Sequence, residues 1–591
     1  MCGIGGLMRV DSSWSPEVCR DGLRRMGKSM KRRGPDAEGI AMFDNGGLLH
    51  RRLAIMDPTA RSNQPMESSG WILSYNGEIY NFKSLRSELQ GAFDFETTSD
   101  SEVLLAALEV WGIDKTISRI AGMFAFLAWN KRERALYAVR DHMGIKPLVF
   151  GRLEDGGIVF GSSVAAVREV DPDRWVTHDP GALGSFFTLG APFTISTAFR
   201  GIERVPPAHI VRVDRDGSMK SRRYWSPRLR TDFSMEELVS ITAEYGQADV
   251  PAALFMSGGV DSTFLACAIP DLDCFHLTSP EQKYAENAAR IIDRKLVVVE
   301  PEFDSYRSDV AGVLGSHGEP LMSAGIPAAV SRAVSESGYK VAISANGADE
   351  LFFGYPRTPM PEYEPPYLPF HETPSARWFR TQMAQIFRDS RNFDVPEISS
   401  SLPDTIELGM SLMLDFHLEG FPPSASYRWL ELMTYVLHDL NPTLDAASMY
   451  HSLEVRVPFL DHRIVEGVLS WDASRLVTPC DGRKSPLKTH FRHRISPAFF
   501  QRPKLGFSIH GEQLEKISHE GPRALDSWRR AGRISVNTRS KFGDVPRDLA
   551  YLGSSCLAFD AWSSAHPGTG LVSGSGSDAA VSQPYPSTDA S

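Results

Sequence analysis

Over the first two hundred residues, apolar and polar positions alternate in short runs: "GGLLHRRLAIMD", "GWILSYNGEIYNF", "GMFAFLAWN", "RALYAVRD" and "GGIVFGSS". Glycine and Asn/Asp turns separate them. A period of two puts one face of each run on a core, so these segments predict packed antiparallel sheet. Two stretches carry helical spacing instead, near Cys19–Lys31 and near Ser101–Trp111 ("SEVLLAALEVW").

The pattern changes after "YWSPRLRTD", near Trp225. From Asp249 onward short apolar strands alternate with helices: "VPAALFMSGG" then "VDSTFLACAI", "DCFHLTS" then "QKYAENAARIID", and "KLVVVEP" before another helix. "IPAAVSRAVSES" then leads into "YKVAISANG". This alternation predicts a parallel sheet with helices on both faces and ligand sites at the carboxyl ends of its strands. The Pro-rich "YPRTPMPEYEPPYLPF" reads as an irregular loop, and Ser400 to about His566 as mainly helical. From Pro567 the chain is rich in Gly, Ser and Pro and is expected to be disordered. The organisation is therefore two domains, 2–225 and 226–566, and a tail, 567–591.

Composition narrows the field. With 591 residues, 42% hydrophobic and 23% charged, the chain is ordinary for a soluble multidomain protein, and its net charge of −10 gives no nucleic-acid footprint. Six scattered cysteines form neither a disulfide framework nor a CxxC metal site. No signal-peptide core or long apolar run occurs, so a cytoplasmic protein without membrane partners is expected.

Candidate chemistry begins at the start, "MCGIGG". Removal of Met1 would leave Cys2 with a thiol and a free α-amine on one carbon. The amine titrates near 7.7–8.0 and can take the thiol's proton, so one residue would hold both nucleophile and base. A second motif is "LFMSGGVDST". Strand residues Leu254–Met256 run into Ser257, Gly258, Gly259, Val260, Asp261 and Ser262 before a helix, whose first N–H groups suit an anion. Asp261 would repel phosphate unless it holds Mg²⁺ bridging the phosphates. With no Walker lysine, the loop resembles those of enzymes that split ATP to AMP and pyrophosphate. "ISANGADELFFGY" sets Asp349 at another strand's end, where a second metal-binding carboxylate is wanted.

Taken in order, "CGIGG", "RRGPDAEG", "HRRLAIMD", "YNGEIYNF", "TTSDSEVLL", "GMFAFLAW", "RDHMGIKPL", "SGGVDS", "GADELFFGY", "SLEVRVPFLDH" and "RPKLGFS" resemble the glutamine-dependent asparagine synthetases with an N-terminal cysteine. The resemblance runs from Cys2 to about Ile509. It implies an αββα-type Ntn-hydrolase glutaminase domain followed by a parallel-sheet α/β ATP-pyrophosphatase domain. It implies that Cys2 attacks the amide of glutamine, with Asn76 and Gly77 as oxyanion hole and Arg52 on the substrate carboxylate. Leu53, Ala54, Ile55 and Met56 would follow Arg52 in the glutamine pocket, and Glu78 and Asp100 would bind the α-amine. In the second domain it implies adenylation of an acceptor carboxylate by ATP with Mg²⁺, then displacement of AMP by ammonia arriving through an internal apolar passage. Ser257–Ser262 would cradle pyrophosphate and Asp261 and Asp349 would hold the metal. Lys504 of "RPKLGF" would neutralise phosphate charge. Met256, Leu277, Ser344 and Ala345 would contact the nucleotide. Glutamine, ATP and a carboxylic acid are the implied partners, and a homodimer is one assembly open to it.

The chain departs from the family where an acidic residue is replaced by Asn346, which cannot accept a proton at neutral pH. Family "DEP" is here Gly318-Glu319-Pro320, "DRMSMA" is Asp445–Tyr450 without the arginine, and Phe353 replaces a glycine. These changes predict a reshaped acceptor pocket, so the acceptor is either aspartate or another carboxylic acid of a biosynthetic pathway. Two alternatives stay open: an intramolecular amide-forming cyclase of the β-lactam synthetase kind, and a synthetase-impaired regulatory protein.

Overall fold

The computed structural model describes residues 2–10, 15–192, 195–300, 302–355, 358, 420–501, 558, 561–562 and 564–565. Among them the alternating runs are strands, in chain order β1 (Gly3–Met8), β2 (Ala37–Phe43), β3 (Gly46–Arg52), β4 (Met66–Glu67), β5 (Trp71–Ile79), β6 (Gly122–Asn130), β7 (Ala135–Arg140), β8 (Val149–Arg152), β9 (Ile158–Gly161), β10 (Ile202–Arg204), β11 (His209–Val213) and β12 (Met219–Arg223). They make two antiparallel six-stranded sheets, ordered β10-β8-β9-β1-β3-β2 and β12-β11-β7-β6-β5-β4.

The side chains between the sheets are apolar: Ile4, Leu48, Leu127, Leu136, Phe160 and Val211 belong to one buried cluster. Behind the first sheet, Leu7, Leu49 and Val159 pack on Leu23 and Met26 of helix Pro16–Ser29. Behind the second, Leu73 and Phe126 pack on Leu85 and Leu104 of helices Phe82–Leu89 and Asp100–Ile117. The layers are thus helix, sheet, sheet, helix, the expected αββα arrangement. The glycines of "CGIGG" follow from it. A Cβ on Gly5 would lie 2.9 Å from Met26 in the helix layer, and one on Gly6 2.8 Å from Leu127 in the facing sheet. Strand β1 is squeezed on both faces, which fixes the position of Cys2 just before it.

The second half forms the expected parallel sheet, β15-β14-β13-β16-β17, from β13 (Ala252–Phe255), β14 (Asp273–Leu277), β15 (Leu296–Val299), β16 (Val341–Ile343) and β17 (Glu454–Arg456). From β13 the chain builds outward to β14 and β15, then returns to the other side of β13 as β16. The crevice at the carboxyl ends of β13 and β16 is therefore a topological switch point, the usual place for a ligand. Residues 420–501 are largely helical, with strands that differ from expectation: "EVR" is the edge strand β17, and Val477–Thr478 pairs with Gly482–Arg483. Three residues are too short a run for periodicity to reveal.

The two halves share a closed seam. Leu53, Ile55, Tyr80, Met123, Met143 and Ile145 of the first pack into the core cluster of the second. Tyr80 stacks on Tyr245 at 3.7 Å and His142 on His462 at 3.8 Å. Buried ion pairs Arg33–Asp445 and Arg204–Glu319 cross the seam at 2.8 and 2.7 Å. The Pro-rich loop, all but its first residues, and the tail from Pro567 lie outside the described residues.

Candidate active site

A pocket opens where β1, β3, β5 and helix Asp100–Ile117 converge, lined by Cys2, Arg52, Leu53, Ile55, Met56, Tyr75, Gly77, Glu78, Asp100 and, from across the seam, Glu454. Of the residues the sequence assigns to glutamine, only Ala54 and Asn76 are outside this lining. Ala54 N–H donates to Asp36 at 2.7 Å. Asn76 sits fully buried beneath Cys2, accepting its backbone N–H on Oδ1 at 2.9 Å. The other half of the Asn76 amide, Nδ2, is buried with no hydrogen-bond partner among the described residues. An unpaired buried donor costs free energy until a ligand oxygen arrives, and this one lies on a side chain that touches Cys2. Gly77 must be glycine, because a Cβ there would lie 2.1 Å from the Met123 carbonyl of β6.

Burial pushes the Cys2 thiol up, opposed by the chain's terminal ammonium, the backbone of Leu53 and Arg52. The resting group is therefore a thiol that needs a base. Asp100 accepts from Tyr75 Oη at 2.7 Å and Ile79 N–H at 3.0 Å. Burial still raises it to about 6. Burial likewise raises Glu78, with Glu454 and Asp100 reinforcing it and Arg456 opposing. Arg52 spends both Nη atoms on its own loop, donating to the carbonyls of Thr59, Met56 and Asp57 and to Asn63 Oδ1 at 2.5–3.2 Å. In this arrangement it organises the wall of the pocket, and gripping a carboxylate with both Nη atoms requires it to exchange some of those bonds.

The second cluster stands at the switch point. After β13 the chain turns through Gly258 at φ +72°, where a Cβ would lie 2.4 Å from Ala285 N. Only glycine meets both demands. Ser257 and Ser262 hydroxyls approach to 3.1 Å, and Ser257 Oγ accepts from Gly259 N–H at 3.2 Å. Helix Val260–Ala268 then begins with Asp261 in its first turn. Met256 N–H donates to the Phe275 carbonyl in β14 at 2.8 Å, and Ser344 N–H to the Arg456 carbonyl in β17 at 2.8 Å. These bonds seat Met256, Leu277, Ser344 and Ala345 around one strand-end crevice. Asn346 accepts from Ser344 Oγ at 2.9 Å.

Asp261 and Asp349 converge, as the sequence predicts, and Lys484 joins them. Its ammonium lies 2.5 Å from a carboxylate oxygen of each. Burial opposes the charge, but the two carboxylates outweigh it and raise Lys484 above the ordinary lysine range. Gly354 lies against this cluster, where a Cβ would collide with Asp349 and Lys484. Sequence reading gave the cation here to Lys504, which lies outside the described residues. Nothing local in "GRKSPLK" marks Lys484; only the fold brings it to the strand ends. Asp261 Oδ1 is buried without a hydrogen-bond partner among the described residues. Two hard oxygen donors with a spare lone pair fit a Mg²⁺ ion that completes its shell with phosphate and water.

The departures from the family pattern separate in space. Asn346 follows β16 at the switch-point crevice, and Phe353 immediately precedes Gly354, which lies against Asp349 and Lys484. Phe353 is buried at φ +54°, a left-handed conformation that suits the glycine it replaces. Glu319 instead binds Arg204 through both oxygens at 2.7 and 2.8 Å, and Asp445 binds Arg33 beside the Cys2 carbonyl. These last two hold the seam together, so the reading of a reshaped acceptor pocket rests on Asn346 and Phe353. Sequence reasoning also missed Glu454 and Arg456, both buried in "SLEVRVPFLDH".

Comparison with known proteins matches residues 1–225 to a glutamine amidotransferase domain and residues 236–532 to asparagine synthase. The chain belongs to the asparagine synthase family. Glutamine-hydrolysing asparagine synthetase 1 of Bacillus subtilis (strain 168) is 27% identical over 582 residues, covering 89% of this chain and 89% of that protein. Synthetase 3 of the same organism is 27% identical over 527 residues, covering 80% and 81%. The chain is thus an enzyme of the glutamine-dependent asparagine synthetase type. Among the described residues no helix is long and apolar enough to cross a membrane.

Proposed function

We propose that this protein is a glutamine-dependent, AMP-forming amide ligase whose acceptor is a carboxylic acid other than free aspartate. Cys2 Sγ attacks the glutamine side-chain carbonyl while the α-amine, freed by removal of Met1, takes the thiol proton. The tetrahedral oxyanion accepts from Asn76 Nδ2 and the Gly77 N–H. Its collapse expels ammonia, which takes that proton back from the α-ammonium, and water then releases glutamate from the thioester. Preorganised donors of this kind supply about 3–4 kcal/mol each of transition-state stabilisation.

At the switch point the acceptor carboxylate attacks the α-phosphorus of ATP, pyrophosphate leaves, and ammonia displaces AMP from the activated acyl group. The Ser257–Ser262 loop and the helix N-terminus would hold the pyrophosphate moiety. Lys484 is assigned a neutralising role, because among the described residues its ammonium lies beside both Asp261 and Asp349. Mg²⁺, when bound by those two carboxylates, would screen the phosphate charge. The closed apolar seam around Leu53, Ile55, Met123 and Met143 supports passage of ammonia between the sites.

The observation that carries the acceptor assignment is Asn346 at the crevice, a neutral amide tied to Ser344 where the family pattern has a carboxylate. An aspartate-specific site built around that acid would lose its proton acceptor. Pyrophosphate release should be screened over a panel of carboxylic acids with ATP, Mg²⁺ and glutamine. The proposal expects a larger or differently charged acid to exceed aspartate by more than tenfold; aspartate at the top of the panel overturns it. The same Asn346 supports a second reading, a synthetase-impaired regulatory protein, which predicts glutamate release without pyrophosphate for every acid.

A further inference from the structure

We propose that the protein has a second small-molecule site outside both reaction centres, where Arg32 and His317 hold an α-amino acid with a hydroxyl or amide side chain, and that this ligand acts on Cys2 through Arg33.

The site is a cavity in the seam between the two halves, lined by Ser29, Arg32 and Arg33 from the first and Ser316, His317 and Tyr450 from the second. It holds about 280 Å³ of space, its mouth included, against about 350 Å³ for the pocket at Cys2. That is at the bottom of the range of ligand sites, room for a molecule no larger than glutamine.

His317 gives the first sign of a ligand. It is 7% exposed, and both its ring nitrogens are without a hydrogen-bond partner among the described residues. The Glu319 carboxylate stands 3.8 Å away, beyond hydrogen-bond reach, and Arg204 binds both of its oxygens. Burial pushes His317 below the usual histidine range, opposed by Glu319 and Asp445 and assisted by Arg204 and Arg33. At pH 7 it is a neutral imidazole with one N–H donor and one lone pair. Leaving them unpaired costs free energy, which a ligand hydroxyl or amide offsets because each both donates and accepts.

Arg32 gives the second. It is exposed, its guanidinium lies 4.1 Å from the centre of the Tyr450 ring, and its Nη1 reaches the Tyr450 carbonyl only at 3.4 Å. Among the described residues it forms no ion pair. Asp309 feels it from farther off and is itself paired with Arg332 at 3.2 Å. The Arg32 fork is thus open to a carboxylate, the group a guanidinium matches best.

The rest of the wall selects against a dianion. Helices Pro16–Ser29, Phe303–His317 and Asn441–Tyr450 all end here, and helix carboxyl ends carry partial negative charge. Ser29 and Ser316 donate to the Met26 and Val313 carbonyls at 2.8 and 3.0 Å, so their oxygens face the cavity as acceptors. Both features welcome an ammonium and disfavour phosphate. An α-amino acid meets every requirement: carboxylate toward Arg32, ammonium toward the serines and helix ends, polar side chain toward His317. Arg33 joins the cavity to the chemistry, since its Nη1 donates to Asp445 at 2.8 Å and its Nε to the Cys2 carbonyl at 3.3 Å. A ligand packed on Arg33 therefore bears on the residue that holds the nucleophile. This link rests on the proposed use of glutamine at Cys2; the binding does not.

Titration calorimetry of the full-length protein tests the site with asparagine, serine, threonine, alanine, succinate and inorganic phosphate, each alone. At least one of the first three should bind with Kd below about 1 mM, and the last three at least about fivefold more weakly. Arg32→Ala should weaken that binding roughly tenfold or more, the worth of one charge-assisted contact. His317→Phe should weaken it too, while the melting temperature of the unliganded protein stays level or rises, because an unpaired buried group has been removed. Should His317→Phe give no cooperative melt, Arg32→Ala decides alone. No binding by any of the three amino acids up to about 20 mM, binding that Arg32→Ala retains, or phosphate or succinate bound as tightly as the amino acid overturns the proposal. The bound amino acid should also change kcat for glutamate release at least about twofold in the wild type and not in Arg32→Ala, whose unliganded kcat should match the wild type; an unchanged kcat overturns the link through Arg33. Wild-type protein that releases no glutamate refutes the glutamine reading itself, and calorimetry still decides the site.

Discussion

Replacing Lys484 by Met removes the ammonium that lies 2.5 Å from both Asp261 and Asp349, while keeping most of the side-chain volume. Two carboxylates are then left facing each other in a partly enclosed site. Stranding a fully buried charge costs about 3–5 kcal/mol. The Asp261 and Asp349 side chains are 16% and 20% exposed, so the lower end applies, about 3 kcal/mol. At about 2–4 °C per kcal/mol for a unit of this size, the melting temperature should fall by about 6–12 °C. The vacated site is two carboxylates that have lost this ammonium, so millimolar Mg²⁺ should recover much of that loss, whereas Mg²⁺ alone should barely move the wild type. Pyrophosphate release should fall by roughly a hundredfold or more, the worth of one electrostatic stabiliser of the transferring group. Glutamate release should continue. Differential scanning calorimetry with and without Mg²⁺ and a coupled pyrophosphate assay read all of this. A variant whose melting temperature ignores Mg²⁺, or which keeps pyrophosphate release, would refute the placement of metal and phosphate at this cluster.

Three further outcomes follow from the same geometry. Asn76→Ala removes the unpaired Nδ2 donor and the acceptor for Cys2 N–H, so steady-state glutamate release should drop about 10²–10³-fold in kcat; a drop of less than tenfold would exclude Asn76 from the oxyanion site. His142 and His462 stack across the seam with Trp225, Tyr224 and Phe124 at their edges and Asp461, Arg463 and Arg230 as the charges acting on them. Burial lowers both histidines, His462 to about 4, so the unfolded chain binds protons that the folded one refuses. Stability from the pair is fully present above pH 6.5 and is lost as pH falls from 6.5 toward 4, at about 1 kcal/mol per pH unit for each histidine; urea unfolding at pH 7 and 5 checks this, and His142→Phe with His462→Phe should flatten the profile. Asn346→Glu restores a proton acceptor beside Ser344 and should raise aspartate-dependent pyrophosphate release at least tenfold; no gain would move the specificity determinant to Phe353 or beyond.

Much of this architecture was legible because its physics is local. Period-two runs such as "GMFAFLAWN" announce strands, and "SGGVDS" between a strand and a helix announces an anion loop, since φ > 0 at Gly258 and the close approach of Ala285 leave no other residue type. Cys2, Gly77, Glu78 and Asp100 were legible through family order, and the fold brings them to one pocket. What escaped is long-range. Lys484 lies 223 residues from Asp261, and Arg456 lies 378 residues from Glu78, so no window of sequence displays either pair. The departures at Glu319 and Asp445 look like pocket residues in sequence, because losing a family motif resembles losing a ligand contact. In the structure they are seam ion pairs, at 2.7 and 2.8 Å. Charge-pair partners are set by topology, and only the folded chain shows them.

The central claim is that nitrogen freed at Cys2 is the nitrogen captured at the switch point. Full-length protein should be supplied with ¹⁵N-amide glutamine, ATP, Mg²⁺ and a pool of carboxylic acids, in buffer containing excess unlabelled ammonium. Nitrogen-edited NMR then reads the amide product, and AMP is counted in parallel. The account predicts a ¹⁵N-amide product formed one-for-one with AMP, and unlabelled product only after Cys2→Ala. Label found solely in free ammonium, with no AMP formed for any acid, would contradict it.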